Sequence, residues 1–133
     1  MIVCICLDNN NGMLFNNRRQ SRDKKIIDDL YFWARKTPVY IQSFSEELFK
    51  NRNVIVDNDC LKNTIDGEFC FIENCGLSEY QAEIATIFVY RWNREYPADF
   101  YLDIDLSNWE LLNSYEFEGD SHEKITREIY VKE

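Results

Sequence analysis

Hydrophobic positions along the chain fall into short runs separated by polar clusters. Ile2, Val3, Cys4, Ile5, Cys6 and Leu7 are continuous and read, with Met1, as an apolar strand. Asp8-Asn9-Asn10-Asn11-Gly12 follows and predicts a turn, because these residues tolerate the backbone angles turns need. Ile26, Ile27, Leu30, Tyr31 and Ala34 then recur at helical spacing, with Ser21 the expected cap and Pro38 past the end. Val39–Ile41 reads as a strand. Ser43 or Ser45 is expected to cap a second short helix, with Glu46 completing a capping box with Ser43. Residues 54–56 and 68–72 predict strands, with a helical turn over 59–64. Residues 84–92 alternate, Ile84, Thr86, Phe88, Tyr90 and Trp92 against Ala85, Ile87, Val89 and Arg91, which favours strand, with a helical start possible over 78–84. A further strand is expected at 100–104 and an antiparallel pair at 109–118 and 125–131. Early strands alternate with helices and late strands follow one another. The implied fold class is α/β, one domain (1–133) with a mixed, mostly parallel sheet flanked by helices.

Composition narrows the function classes. Hydrophobic residues make up 45% of the 133 residues, which supports a packed core and excludes disorder. No apolar run approaches the roughly 18 residues of a membrane span, and Met1–Leu7 is too short for a signal peptide. No membrane association and a cytoplasmic location are therefore expected. The net charge of −9 is uneven: residues 1–94 hold 12 basic and 13 acidic groups, residues 95–133 only 3 basic and 11 acidic. Such acidity argues against general nucleic-acid binding. One stretch runs the other way, with Arg18, Arg19, Arg22, Lys24 and Lys25 against Asp23 alone. Five cysteines, an odd number, fit a reducing compartment. Their spacing lacks close ligand pairs, and His122 is the single histidine, so no metal is expected.

The order of motifs resembles dihydrofolate reductase over nearly the whole chain. Residues 1–12 (MIVCICLDNNNG) are similar to that family's first strand and loop. Asp29-Leu30 with Phe32 and Thr37-Pro38-Val39 resembles its first helix and next strand. Residues 39–57 resemble its second strand, second helix and third strand, 103–117 its late Trp-led segment, and 125–130 its last strand. The resemblance implies that fold, and a pterin-binding carboxylate in the first helix, for which Asp29 is the matching position and Asp28 the alternative. The NADPH-binding motifs are absent. Where the family has Gly-Arg-Lys/His-Thr to hold cofactor phosphates, this chain has Gln42-Ser43-Phe44-Ser45; where it has Gly-Gly, this chain has Glu73-Asn74-Cys75-Gly76. No cofactor is therefore expected. A likeness to short ribonuclease Z chains fails on chemistry, since one histidine cannot supply a His-x-His-x-Asp-His metal cluster.

Three segments remain as candidate chemistry. Arg18, Arg19 and Arg22 at a helix start suit a phosphate or carboxylate. Arg91 and Trp92 suit a planar ring, by charge and by stacking. His122 lies in the turn-like segment 119–124, where Ser121, His122 and Glu123 are too close in sequence to converge as a triad. The expected site is thus Arg18, Arg19, Arg22, Asp29, Arg91, Trp92 and His122, with the arginines holding an anion, Trp92 stacking and Asp29 accepting ring N–H donors. The expected function is a non-catalytic binding protein for a small anionic or nucleotide-like ligand, in a cleft at the carboxyl ends of strands. A second expectation is an inhibitor whose acidic C-terminal third engages a basic protein partner; a third is a reductase with atypical cofactor contacts.

Overall fold

The computed structural model describes residues 1–132. Ten strands and two α-helices appear in the order β1 (Ile2–Leu7), β2 (Gly12–Phe15), β3 (Arg18–Arg19), α1 (Lys24–Ala34), β4 (Val39–Ile41), β5 (Val54–Val56), α2 (Cys60–Asn63), β6 (Phe69–Phe71), β7 (Thr86–Arg91), β8 (Phe100–Tyr101), β9 (Trp109–Phe117) and β10 (Ile125–Lys132). Short 3-10 helices occupy Ser43–Phe49, Ser78–Glu83 and Leu106–Asn108. Seven strands form one sheet in the order β5-β4-β6-β1-β7-β10-β9. The first five are mutually parallel, while β10 runs antiparallel to both β7 and β9. This is the mixed, mostly parallel sheet the alternation of elements implied.

The sheet is buried on both faces, which explains why β1 reads as unbroken apolar sequence. Val3, Ile5, Ile87 and Val89 belong to one core; Cys4, Phe88, Tyr90 and Trp92 belong to the other, beneath α1. The alternation from Thr86 therefore sorts side chains between two apolar layers rather than between core and water, while Ile84, expected on the face of Phe88, precedes β7 and joins the first core instead. Helix α1 closes the second core with Ile26, Ile27, Leu30 and Ala34.

Some local expectations change. The cap of α1 is Asp23, whose side chain accepts the Lys25 N–H, and not Ser21. Asp is at least as good a cap as Ser, and here the helix starts two residues later. The capping box at Ser43 does not form: Gln42 stands at the cap without a side-chain bond, and the segment is 3-10. The strand expected over 100–104 is only Phe100–Tyr101, and it joins β2 and β3 in a separate three-stranded sheet.

That small sheet positions the site. Asn16 and Asn17 both have positive φ (51° and 59°), and Leu14 and Phe15 pair with Arg19 and Arg18 across them. This is a two-residue hairpin of the kind whose twist suits Asn. Strand alternation then sends consecutive arginines to opposite sides. The loop before it is held by Asp8, which is fully buried and whose carboxylate accepts the N–H groups of Asn10 (2.8 Å) and Gly12 (2.7 Å) and the Gln20 amide (3.0 Å). A Cβ on Gly12 would stand 2.7 Å from the Ala98 Cβ and 2.9 Å from Asp8 Oδ2, so only glycine permits the approach.

Candidate functional site

A cleft of about 470 Å³ opens at the carboxyl ends of β1, β6 and β7. Its apolar lining is Met13, Ile26, Ile27, Leu48, Phe71 and Trp92; its cations are Arg19, Arg22, Lys24, Lys50 and Arg52. A chain of net charge −9 thus places five cations around one apolar hollow, against the four carboxylates Asp23, Glu47, Glu73 and Asp120.

The cations are not equivalent. Arg19 is turned inward by the hairpin and clamps the buried Glu73, with Nε donating to Oε2 at 2.9 Å and Nη2 to Oε1 at 3.1 Å. Arg19 Nη2 also donates to the Phe44 carbonyl (3.0 Å), and Ser45 Oγ donates to Glu73 Oε1 (2.6 Å). These bonds make Arg19 a wall of the cleft whose removal would strand a buried carboxylate. Arg22 pairs with Glu47 at 3.0 Å, both well exposed, and Arg52 pairs with Asp28. Lys24 and Lys50 make no salt bridge among the described residues and are the cations free to meet a ligand.

Of the residues expected from sequence, Arg19, Arg22 and Trp92 line the cleft, while Arg18 borders a shallow neighbouring recess with Asn17 and Phe44. Asp29 and Arg91 do not line it. Asp29 accepts from Arg127 Nη1 and from the Tyr90 hydroxyl, each at 2.7 Å. Where the resemblance implied a carboxylate, α1 presents Ile26 and Ile27 to the cleft. Arg91 is bound to Glu128 (2.9 Å). Of the free cations, Lys50 was missed, and Lys24 was noted in the basic stretch but left out of the expected site; both positions resemble ordinary solvated surface.

His122 lies just beneath the cleft, buried and packed at a tilt of 31° against Trp92 with centroids 4.7 Å apart. Its Nδ1 is 2.8 Å from Asp23 Oδ2, and its Nε2 is 2.9 Å from Ser21 Oγ. The Tyr96 hydroxyl is a second neighbour of Nε2, at 3.2 Å. Because a carboxylate accepts at Nδ1, the neutral ring carries its proton there and leaves Nε2 as an acceptor. Asp23 is held from several sides: Lys25 N–H and Asp120 N–H donate to Oδ1 and Ser121 N–H to Oδ2, all at 2.9 Å. Burial opposes its charge, but the N–H groups of Asp120, His122, Ser121 and Lys25 outweigh burial and lower its pKa to about 2. A Cβ on Gly119 would fall 2.5 Å from Asp23 Oδ2, so the hairpin reaches the carboxylate only through glycine. As the sequence spacing implied, Ser121 and Glu123 do not complete a triad with the histidine: Ser121 Oγ lies 3.2 Å from Nδ1, on the Asp23 side of the ring, and the closest partners come from a segment about a hundred residues away.

Outside the cleft lining, Asn58 Oδ1 accepts both the Ser43 N–H (2.8 Å) and the Ser43 hydroxyl (3.0 Å). After β6, the N–H groups of Leu77 (2.8 Å) and Ser78 (3.2 Å) donate to Asp103 Oδ1. Among the described residues no cluster of His, Cys, Asp and Glu has the arrangement of a metal site.

Comparison with known proteins bears on the scaffold. The chain superposes on a dihydrofolate reductase from Enterococcus faecalis, a structure described as complexed with NADP(H) and RAB-propyl. The TM-score is 0.64, over 99% of this chain and 96% of that one, at 16% sequence identity. This chain has a dihydrofolate-reductase-like fold. No family model matches the sequence, and no curated protein matches it. At this identity the likeness establishes the fold alone, and the chemistry has to be argued from the side chains present. None of the helices is long and apolar enough to cross a membrane among the described residues.

Proposed function

We propose that this reductase-like scaffold binds a small anionic, planar or nucleotide-like ligand in the cleft between α1 and the ends of β1, β6 and β7. The observation that carries this reading is the pairing of an apolar floor with two free ammonium groups, Lys24 and Lys50, on a strongly acidic chain. Apolar hollows with a few convergent polar groups are the usual form of small-ligand sites. Arg22 adds a third, exposed cation, and Trp92 with Ile26 and Ile27 supplies a surface for a ring.

The dinucleotide of the structural neighbour does not fit the residues present here. The segment 42–45 contains no cation, and its Ser43 N–H and hydroxyl are already bonded to Asn58. Past β6, the Asp103 carboxylate occupies the amides of Leu77 and Ser78, and Glu73 engages Arg19, which is thereby withdrawn as a phosphate partner. Negative charge and occupied donors both oppose a pyrophosphate. The acidic C-terminal third lends less support to a protein-binding role, because Asp99, Asp103 and Asp105 each already accept a backbone N–H, from Asn16, Leu77 and Ser107.

Thermal unfolding with AMP, GMP and folate as probes tests the reading. At least one should raise the melting temperature by mass action. The shift should shrink with salt and disappear in Lys24→Ala/Lys50→Ala. No shift with any of these probes, or a shift unchanged in the double variant, refutes it.

A further inference from the structure

The geometry around His122 points to an activity. We propose that Ser21, His122 and Asp23 form a nucleophilic triad opening into the cleft, and that the protein is a serine hydrolase for small esters carrying a second, negatively charged group. The triad stands on its own geometry; the anionic substrate class rests on the cleft reading above.

Three requirements of such a triad are met. The nucleophile is reachable: Ser21 is only half-buried and lines the cleft. The base touches it, with Oγ 2.9 Å from Nε2. The base is oriented by a buried carboxylate, with Nδ1 2.8 Å from Asp23 Oδ2. The orienting group is itself fixed by three backbone N–H donors, and Trp92 packs against the imidazole. Ser21 lies two residues before Asp23, the cap of α1. Lys24 and Arg22 line the same hollow. Their positive charge in the hollow favours an acyl substrate that carries a negative group.

The reaction balances with water as the only co-reactant. Ser21 Oγ attacks the ester carbonyl carbon as its proton passes to His122 Nε2. The tetrahedral intermediate collapses, breaking the bond to the alcohol oxygen, which leaves with the proton from Nε2. Water then attacks the acyl-enzyme, giving a proton to Nε2. The Oγ–carbonyl bond breaks, the carboxylic acid departs, and the proton returns to Ser21. Asp23 stays ionised throughout and stabilises the imidazolium.

A fluorophosphonate probe tests the triad, since it phosphonylates only an activated serine. Intact-mass and peptide analysis should place one label on Ser21. Ser21→Ala should take up none, and His122→Gln should be labelled about 100-fold more slowly, the scale of a lost general base. Absence of label from the wild-type protein, label at another residue, or equal rates in wild type and His122→Gln overturns the proposal. Melting temperatures with AMP, GMP and folate on the wild type and Ser21→Ala separate the two readings. A shift without labelling defeats the triad and leaves ligand binding standing. Labelling without a shift keeps the triad and removes the anionic substrate class. With both present, 4-nitrophenyl hemisuccinate should be cleaved about 10-fold faster than 4-nitrophenyl acetate, matching one added charge contact of roughly 1.4 kcal/mol; equal rates overturn the substrate class.

Discussion

Asp23 and Asp29 lie six residues apart at the two ends of the same short stretch of α1 and its cap, and the fold uses them in opposite ways. Asp29 sits on the side of the helix that faces the sheet's antiparallel half. It pairs with Arg127, itself buried and lying over the rings of Trp33 (4.8 Å) and Tyr115 (5.2 Å), and it accepts the Tyr90 hydroxyl. All of its partners are internal. Asp23 also gathers internal donors, yet one of them is a histidine whose far nitrogen meets a serine in the cleft. The lesson is that a buried carboxylate becomes chemically relevant through what its partner touches next. Arg127 cannot give up a proton, so the Asp29 network ends there; His122 can, so the Asp23 network continues to the cleft.

The comparison is broken most severely at Asp29. Asp29→Ala leaves the Arg127 guanidinium buried without its counter-ion and should cost about 3 kcal/mol in urea unfolding. A loss under roughly 1 kcal/mol would show that the pair is not integral to the fold. Asp23 gives the next effect, through pH. Its folded pKa of about 2 lies below the ordinary 3.8, so its contribution is present in full above about pH 4 and is lost as pH falls through 2. That amounts to about 2 kcal/mol, measurable as a drop in the urea midpoint that Asp23→Asn should flatten. Gly119→Ala should follow at roughly 1–2 kcal/mol, because the new methyl must push the hairpin from the Asp23 carboxylate. It should also slow fluorophosphonate labelling, whereas Asp29→Ala should leave the labelling rate of the folded fraction unchanged. Ser21→Ala is expected to be the mildest, under about 1 kcal/mol, since its hydroxyl is half-open to the cleft.

Much of the scaffold was legible because it is written in period and punctuation. The apolar run at 2–7 and the helical stripe Ile26, Ile27, Leu30 and Ala34 each correspond to an observed element, and the alternation at 84–92 does so over Thr86–Arg91. The site was legible only in part. Arg19, Arg22 and Trp92 do line the cleft, but the run of basic residues concealed a hairpin. The Asn16-Asn17 turn sends Arg19 to Glu73 and leaves Arg18 outside. Had the turn been read as a hairpin signal, the two arginines would have been separated in advance. Asp29 was placed in the site by resemblance, and nothing local opposed that placement. What removes it from the cleft lining is Arg127 and Tyr90, on strands far along the chain.

Order of elements and sheet class follow from the sequence alone, because side-chain period and turn chemistry act over a few neighbouring residues; that β7 is buried on both faces was decided by the packing of two apolar layers. Which groups meet at the cleft was decided by the tertiary structure. Ser21, Asp23 and His122 come together only when the β9–β10 hairpin folds back onto the start of α1. A contact between residues a hundred positions apart leaves no periodic trace in a single sequence, so its chemistry exists only once the core has closed.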